Sequence, residues 1–191
     1  MNHFEASRLA CLRVPHLMAQ VEQRRAGDQD GRPLLVCQGE VVRDACALAS
    51  AQGVRAGEAL RRALARCPTA RVVPAEPRRY QEAWQAALER LALHTPAVED
   101  ARQGVAYLEA RGLGALYGGE GAWCQAALAE VRQATDLVAR MGVAGTRFAT
   151  WVAACTSALP PGFEGVASDT GAFLAPFSVR WLPLSAETLR R

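Results

Sequence analysis

The order of elements in the sequence predicts an α/β fold of the α+β kind, in which a ferredoxin-like β-α-β-β-α-β sheet packs on two helices. Short apolar runs that end in proline or glycine predict the strands, and longer segments with apolar residues at helical spacing predict the helices. A segment of roughly fifty residues, with its own short strands and helices, separates the first strand from the first helix of that order. The sequence therefore predicts a fold with one large insertion.

Composition agrees with a folded globular chain. Half of the 191 residues are hydrophobic and 21% are charged, which excludes the disordered class, and no apolar run reaches membrane-spanning length. The net charge of +3 permits contact with nucleic acid without arguing for it. All 22 basic residues are arginine, so a compositional bias explains the preference for arginine over lysine better than phosphate recognition at each position.

Six scattered cysteines without C-x-x-C spacing predict reduced, buried thiols that act as small apolar side chains, rather than zinc ligands or disulfides. No metal site or cofactor site is predicted from the spacing of the histidines and cysteines. No signal peptide is recognised at the start of the chain. We therefore expect a protein of the reducing cytoplasm.

The first strand is predicted at Leu9–Val14, an apolar run that Pro15 ends. The proline then opens a helix with Leu17, Met18 and Val21 on one face. The insertion that follows alternates short apolar runs with alanine-rich segments that end at glycine or proline. Its predicted elements are strands at 34–37, from 41 and at 72–74, and helices at 45–51 and 57–67.

The clearest amphipathic helix runs from Pro77 to His94 and places Tyr80 and Trp84 on its apolar face, so both aromatic rings are predicted to be core residues. A hairpin that turns at Gly104 is predicted next. The remaining predicted elements are hairpin strands at 98–102 and 105–109, a helix at 120–137, a strand at 138–143, a helix at 145–157, and helix starts at 171–175 and 185–191.

Four short runs occur in the order in which one known family carries similar runs. They are Gly53-Val54-Arg55-Ala56-Gly57, Arg66-Cys67-Pro68 with Val72-Val73-Pro74, Ala106-Tyr107-Leu108, and Gly142-Val143-Ala144 with Arg147-Phe148-Ala149. In these runs the chain resembles an N-terminal fragment of the Y-family (translesion) DNA polymerases. The resemblance implies a palm at residues 1–25 and 75–149, fingers at 26–74, and the start of a thumb at 150–191.

The resemblance also shows where the metal-binding positions of the family fall. A polymerase holds two Mg²⁺ ions with carboxylates, which clamp the attacking and leaving oxygens. The two aspartate positions of the first strand fall on Arg13 and Pro15, and the acidic pair before Ala106 falls on Gly104 and Val105. A guanidinium at such a position inverts the charge that a dication needs.

The positions that bind the triphosphate in the family differ as well. Its tyrosine and arginine fall on Ala47 and Ser50, and its lysine falls on Trp151. With the metal and phosphate sites both lost, the chain resembles the ImuB-type proteins, which are catalytically inactive relatives of the Y-family polymerases. The resemblance implies a protein that is not an enzyme and that serves as a scaffold or DNA-binding subunit in SOS-type error-prone translesion synthesis.

The partners implied are primer-template or damaged DNA, an error-prone replicative-type polymerase with accessory mutasome proteins, and a sliding clamp reached through regions that this chain lacks. Two alternatives stay open. One is an active DNA-directed nucleotidyltransferase with a relocated metal site, for which Glu22, Glu99, Asp100 and Glu109 are the acids at hand. The other is a palm that binds proteins without contacting DNA.

Four arginines are candidates for contact with nucleic acid. Arg147, at a predicted helix start that faces DNA in the family, is the first candidate for a phosphate contact, and Arg55, Arg61 and Arg62 of the insertion are the others. A solvated helix face explains Arg61 and Arg62 at least as well.

Arg13 has a structural explanation of its own. An arginine at the end of a buried strand usually pairs with a nearby acid, because an unpaired buried charge is costly. Glu109 or Glu99 is expected to supply that partner, so an ion pair would replace the metal site.

Overall fold

The computed structural model describes residues 8–27, 31–157, 162–166, 169–178 and 181. The chain divides into two compact units. One unit combines the residues up to Arg13 with those from Leu88 onward, and the other is Val14–Ala87. The boundaries of palm, fingers and thumb given above stay predictions, and the helix expected at 185–191 lies outside the described residues.

The described strands and helices follow the predicted order. In chain order they are β1 (Leu9–Arg13), α1 (Leu17–Arg25), β2 (Leu34–Gln38), β3 (Val41–Ala45), α2 (Ala47–Ala51), α3 (Leu60–Arg66), β4 (Arg71–Pro74), α4 (Pro77–Leu91), β5 (Val98–Arg102), β6 (Val105–Glu109), α5 (Leu113–Tyr117), α6 (Glu120–Thr135), β7 (Arg140–Ala144), α7 (Arg147–Thr156), β8 (Gly162–Gly165) and α8 (Thr170–Leu174).

The first unit is built on a sheet whose described strands lie in the order β5-β6-β1-β7-β8. Strand β1 is antiparallel to both of its neighbours, β6 and β7, and β5 is antiparallel to β6. With α4 before β5 and α6 before β7, this is the ferredoxin-like β-α-β-β-α-β arrangement, so the predicted fold class is confirmed. Strand β8 extends the sheet by pairing parallel to β7.

Helix α7 packs closely on one face of this sheet, and Gly142 of β7 makes that approach possible. A Cβ at Gly142 would lie 2.6 Å from the Cβ of Ala153 and closer still to backbone atoms of Thr150 and Ala154. Side chains alternate between the two faces of a strand. The strand residues that alternate with Cys11 and Gly142 point to the other face of the sheet. They are apolar and have almost no exposed surface, and they include Ala10, Leu12, Ala106, Leu108, Met141 and Val143.

The second unit has a sheet of order β3-β2-β4 among its described strands, with β2 antiparallel to β3 and parallel to β4. A hydrogen bond links helix α1 to β3: the backbone N–H of Ala19 donates to Asp44 Oδ2 at 3.1 Å. The same helix carries Glu22, a carboxylate with 2% of its surface exposed. Its oxygens accept hydrogen bonds from the Tyr80 hydroxyl at 2.9 Å and from Arg25 Nε at 3.1 Å. The buried charge thus has hydrogen-bond partners, as buried charges require.

Tyr80 and Trp84 have no exposed surface, so their predicted place in the core is confirmed. Burial raises the pKa of the Tyr80 hydroxyl to about 12. Each of the five helices predicted between residues 45 and 157 is shorter in the structure. Helix α4 ends at Leu91, and α2 begins at Ala47 because Ala45 pairs with β2 as the last residue of β3.

Two described elements were not predicted, helix α5 and strand β8. All six cysteines are free thiols, and five of them are buried as predicted, whereas Cys155 is partly exposed. Within the described ranges, no helix is long and apolar enough to cross a membrane.

Candidate functional site

Two of the positions that the resemblance aligns with metal-binding acids, Arg13 and Val105, meet at one end of the sheet in the first unit. Arg13 of β1 lies directly opposite Val105 of β6 and, on its other side, opposite Arg140 of β7. Val105 in turn lies opposite Arg102 of β5. Directly opposed residues of antiparallel strands place their side chains on the same face. One row across four strands therefore carries three arginines and a valine.

The hairpin that joins β5 and β6 determines which residue of β5 belongs to this row. Gly104 lies in its turn with a φ of +83°, in the left-handed region that favours glycine. The pairing of β5 shifts between Asp100 and Arg102, which leaves one extra residue on that strand. Such a bulge re-aims the following side chain, and here it brings Arg102 opposite Val105.

These residues do not fit a magnesium ion. Mg²⁺ takes carboxylate and other oxygen ligands, whereas Arg13 supplies a guanidinium, Val105 supplies an apolar side chain and Gly104 supplies none. In the part of the chain that the structure describes, no three His, Cys, Asp or Glu side chains are grouped so that they could hold a metal ion. The site carries positive charge where a dication would need negative charge.

Trp151, aligned with a phosphate-binding lysine, lies on α7 beside the same end of the sheet. It packs against a buried cluster of Cys11, Val105 and Ala154. Its ring centroid lies 5.6 Å from that of Trp181 in an edge-to-face arrangement. An indole in this position contributes packing and a weakly polar ring face, with no positive charge for a phosphate.

Arg147, the first candidate for a phosphate contact, is already bound by a carboxylate. Its Nη1 and Nη2 donate to the two carboxylate oxygens of Glu99, both at 2.5 Å. Its guanidinium carbon lies 3.8 Å from the centroid of the Tyr107 ring, in cation–π contact. The hydrogen bond with Arg147 lowers the pKa of Glu99 and raises the pKa of Arg147.

We expect the Glu99–Arg147 pair to make stability pH-dependent. Because the pKa of folded Glu99 is lowered, its stabilisation is present above the unfolded value, about 4.3, and is lost as the pH falls through the folded value. The melting temperature of the wild type should fall more between about pH 5 and pH 3 than that of Glu99→Gln. Glu89→Gln, at an exposed position of α4, should keep the wild-type slope. Equal slopes in wild type and Glu99→Gln would contradict the pairing.

The expected ion pair of Arg13 with Glu109 or Glu99 is wrong. Glu109 lies opposite Leu9 in the β1–β6 register, four residues from Arg13, which is about 13 Å along a strand. Its carboxylate instead pairs with Arg111 at 3.0 Å. The carboxylate of Glu99 pairs with Arg147 instead. No ion pair of Arg13 occurs among the described residues.

The other aligned positions belong to the second unit. Pro15 lies between β1 and α1, and Ala47 is the exposed first residue of α2. The hydroxyl of Ser50, also in α2, lies 3.5 Å from the carbonyl oxygen of Ala45, at the limit of a hydrogen bond. None of these side chains carries a positive charge for a triphosphate.

The remaining arginine candidates are also in the second unit, and all three are exposed. Arg61 and Arg62 lie next to each other in α3. Arg55 is held by its own neighbours, because its Nη1 donates to the carbonyl oxygens of Ser50 and Val54, both at 2.9 Å. The outward face predicted for Arg61 and Arg62 agrees with their exposure, while the role of all three arginines in binding DNA stays a prediction.

Sequence reasoning missed Arg102 and Arg140 as members of the site. Both residues were assigned to predicted strands, as was Arg13, but the pairing that brings the three residues into one row was not predicted. One pattern in the sequence could have revealed them. Arg13 and Arg102 are the last residues of β1 and β5, and Arg140 is the first residue of β7, which is antiparallel to β1. Such ends meet at one edge of a sheet when the strands are neighbours or nearly so.

Comparison with solved structures supports the same fold. An insertion ternary complex of Dbh DNA polymerase is 23% identical to this chain with a TM-score of 0.84, and DinB from Sulfolobus solfataricus is 23% identical with a TM-score of 0.83. A Y-family DNA polymerase chimera of Dbh and Dpo4 segments is 23% identical with a TM-score of 0.80. Each match covers 96% of this chain and 56% of the other. The chain thus spans little more than half the length of these polymerases.

A family comparison matches most of the sequence directly. The model of the impB/mucB/samB family matches residues 12–155, a range that begins in β1, ends in α7, and contains all of the second unit and the larger part of the first. This range contains the arginine and valine positions of the site as well as the inserted sheet. The chain therefore belongs to the impB/mucB/samB family and has a Y-family polymerase-like fold.

Proposed function

We propose that this protein is a catalytically inactive relative of the Y-family polymerases that serves as a scaffold and DNA-binding subunit in error-prone translesion synthesis. The observation that carries the proposal is the direct cross-strand pairing of Arg13 with Val105. The resemblance aligns these two positions with metal-binding acids. Two-metal catalysis requires carboxylates there, since they offset the charge of the cations and fix the attacking and leaving oxygens.

The proposal extends to the partners and the compartment. A subunit without its own metal site depends on an active polymerase, so we propose an error-prone replicative-type polymerase, accessory mutasome proteins and a sliding clamp as partners of the whole protein. The expected compartment is the cytoplasm of a bacterium with an ImuB-type system. DNA binding by this chain is proposed to involve Arg61 and Arg62, which α3 exposes to solvent.

Primer extension tests the proposed lack of activity. We expect no templated incorporation by the purified chain with Mg²⁺ or Mn²⁺, under conditions in which a Y-family polymerase extends the same primer. Incorporation that disappears in a Glu99→Gln/Glu109→Gln variant would contradict the proposal and support a relocated metal site. Incorporation that persists unchanged in this variant and in Arg13→Gln would indicate a copurified polymerase, to be removed before the assay is repeated.

A palm that binds proteins without touching DNA is a second candidate, favoured by the occupation of Arg147 by Glu99. Gel shift with primer-template DNA distinguishes the two. A DNA-binding chain should bind more weakly as salt increases, and Glu99→Gln should steepen that dependence by about one phosphate contact, because it releases Arg147. Arg61→Gln/Arg62→Gln should weaken binding. An absence of salt-dependent binding in the wild type and in Glu99→Gln would favour the second candidate.

A further inference from the structure

Arg13, Arg102 and Arg140 form what we call the arginine row, at one end of the sheet in the first unit. Arg13 and Arg140 are direct cross-strand neighbours, and Arg102 joins the same row through Val105. Neighbouring strands are about 4.8 Å apart, so the two ends of the row are separated by three such spacings, about 14 Å. Each side chain is partly or fully exposed. The row is therefore accessible from solvent.

The row has no described counter-charge. Among the residues that the structure describes, none of the three guanidinium groups forms an ion pair with a carboxylate. Arg140 Nη1 makes one long hydrogen bond, 3.4 Å, to the carbonyl oxygen of Cys155. Its Nε atom is buried and has no hydrogen-bond partner within the described ranges. A buried donor without a partner is rare in folded proteins.

The positive charges act on the same small region. Burial raises the pKa of the Cys155 thiol, and the charges of Arg13, Arg102 and Arg140 all oppose that rise. Arg13 and Arg102 have the same opposing effect on the pKa of the buried Cys11 thiol. Arg13 and Arg140 are also direct cross-strand neighbours, and like charges directly opposite each other on a sheet repel and cost stability.

Two acids of the neighbouring strands, Glu99 and Glu109, pair with other arginines. Glu99 is held by Arg147, and Glu109 is held by Arg111 at the other end of the β1–β6 pair. The bulge in β5 turns Arg102, and not an acid, toward the row. Among the described residues, no ion pair with a carboxylate therefore offsets the three positive charges of the row.

We propose that the arginine row is a metal-independent binding site for a phosphate-type oxyanion with several negative charges. Guanidinium groups present paired N–H donors in a planar fork that matches two oxygens of a phosphate group. Three such groups in a row suit an anion of two linked phosphates better than a single carboxylate. The ligand is either a phosphoanhydride or consecutive phosphates of a nucleic-acid backbone, which share this chemistry. The inference does not depend on DNA binding or on inactivity as a polymerase.

Calorimetric titration with pyrophosphate in the presence of a chelator of divalent cations tests the site. The full 191-residue chain should bind pyrophosphate saturably at low salt and more weakly as salt increases. Arg13→Gln/Arg140→Gln should weaken binding at least tenfold. The matched control, Arg90→Gln/Arg132→Gln, removes two exposed arginines that have their own acidic partners and should bind as the wild type does.

Stability provides an independent readout. Pyrophosphate should raise the melting temperature of the wild type and not that of the double variant, because it binds only the folded row. Without ligand, Arg13→Gln should melt at or above the wild-type temperature at low salt, since it removes the repulsion between Arg13 and Arg140.

If the double variant fails to fold, the single variant Arg102→Gln, at an exposed position, replaces it in the titration. We expect Arg102→Gln to bind pyrophosphate several-fold more weakly than the wild type. No saturable binding by the wild type, or equal losses in the control variant, would overturn the proposal.

Competition separates the two sources of the anion. Displacement of pyrophosphate by duplex DNA in the presence of chelator would assign the row to backbone phosphates. Displacement by a nucleoside triphosphate and not by DNA would assign it to a free phosphoanhydride. Either result supports the site, and the second would do so even if the proposed DNA-binding function fails.

Discussion

Substituting Gly142 with alanine should lower the free energy of unfolding by about 3 kcal/mol or more, at the upper end of overpacking costs. The added Cβ would collide with backbone atoms of Thr150 and Ala154, which cannot move aside as a flexible side chain could. Strand β7 and helix α7 would have to separate, and both are central to the first unit. Urea denaturation followed by circular dichroism measures the loss.

Gly121→Ala is the matched control for this substitution. It lies near the start of α6 in the same unit, and its Cβ would meet only the Phe163 ring, at 3.4 Å. We expect no loss of stability beyond about 0.5 kcal/mol, because alanine is the better helix former. If both alanine variants unfold at the same urea concentration, close packing of α7 at Gly142 is not what limits stability.

Glu22→Ala should destabilise the protein by about 3 kcal/mol, as expected when one partner of a buried charge network is removed. The carboxylate has 2% of its surface exposed and accepts hydrogen bonds from Tyr80 and Arg25. Its loss leaves the Tyr80 hydroxyl buried without an acceptor in the second unit. Thermal and urea unfolding of the purified variant measure the effect.

Two further variants separate the buried network from charge in general. Glu82→Ala removes an acid from the exposed Arg78–Glu82 pair of α4 and should change stability by less than about 0.5 kcal/mol. Glu22→Leu/Tyr80→Phe removes both polar groups and should be more stable than Glu22→Ala, because no buried hydroxyl is left unsatisfied. A loss in Glu82→Ala as large as that in Glu22→Ala would argue against the network.

Strand and helix order was predictable because most elements carry their own pattern. Helix α4 is the clearest case, since proline opens it and its aromatic residues recur at helical spacing. Helix α5 escaped prediction because it has only five residues between Gly112 and Gly118, both with positive φ, and flanking glycines are typical of loops. Strand β8 has two glycines among its four residues and is held by parallel pairing with β7, a distant partner that no local pattern reveals.

The candidate site could be predicted only in part, for a related reason. Aligning motifs identified Arg13, Gly104 and Val105 one by one, since each stands in a recognisable run. Their neighbours Arg102 and Arg140 enter the site through strand register, which depends on pairing between segments far apart in the sequence. The partner of Arg147 was missed likewise, because Glu99 is 48 residues away.

The bulge in β5 also affects how one molecule meets another. Strand β5 stands at one margin of the described sheet, and four of its five residues are exposed, including Glu99, Asp100 and Arg102. An open margin with evenly spaced amide and carbonyl groups would accept a strand from a neighbouring molecule. The bulge breaks that spacing, and the charged side chains would lose water on docking. This hairpin is therefore a poor template for edge-to-edge aggregation when the protein is concentrated.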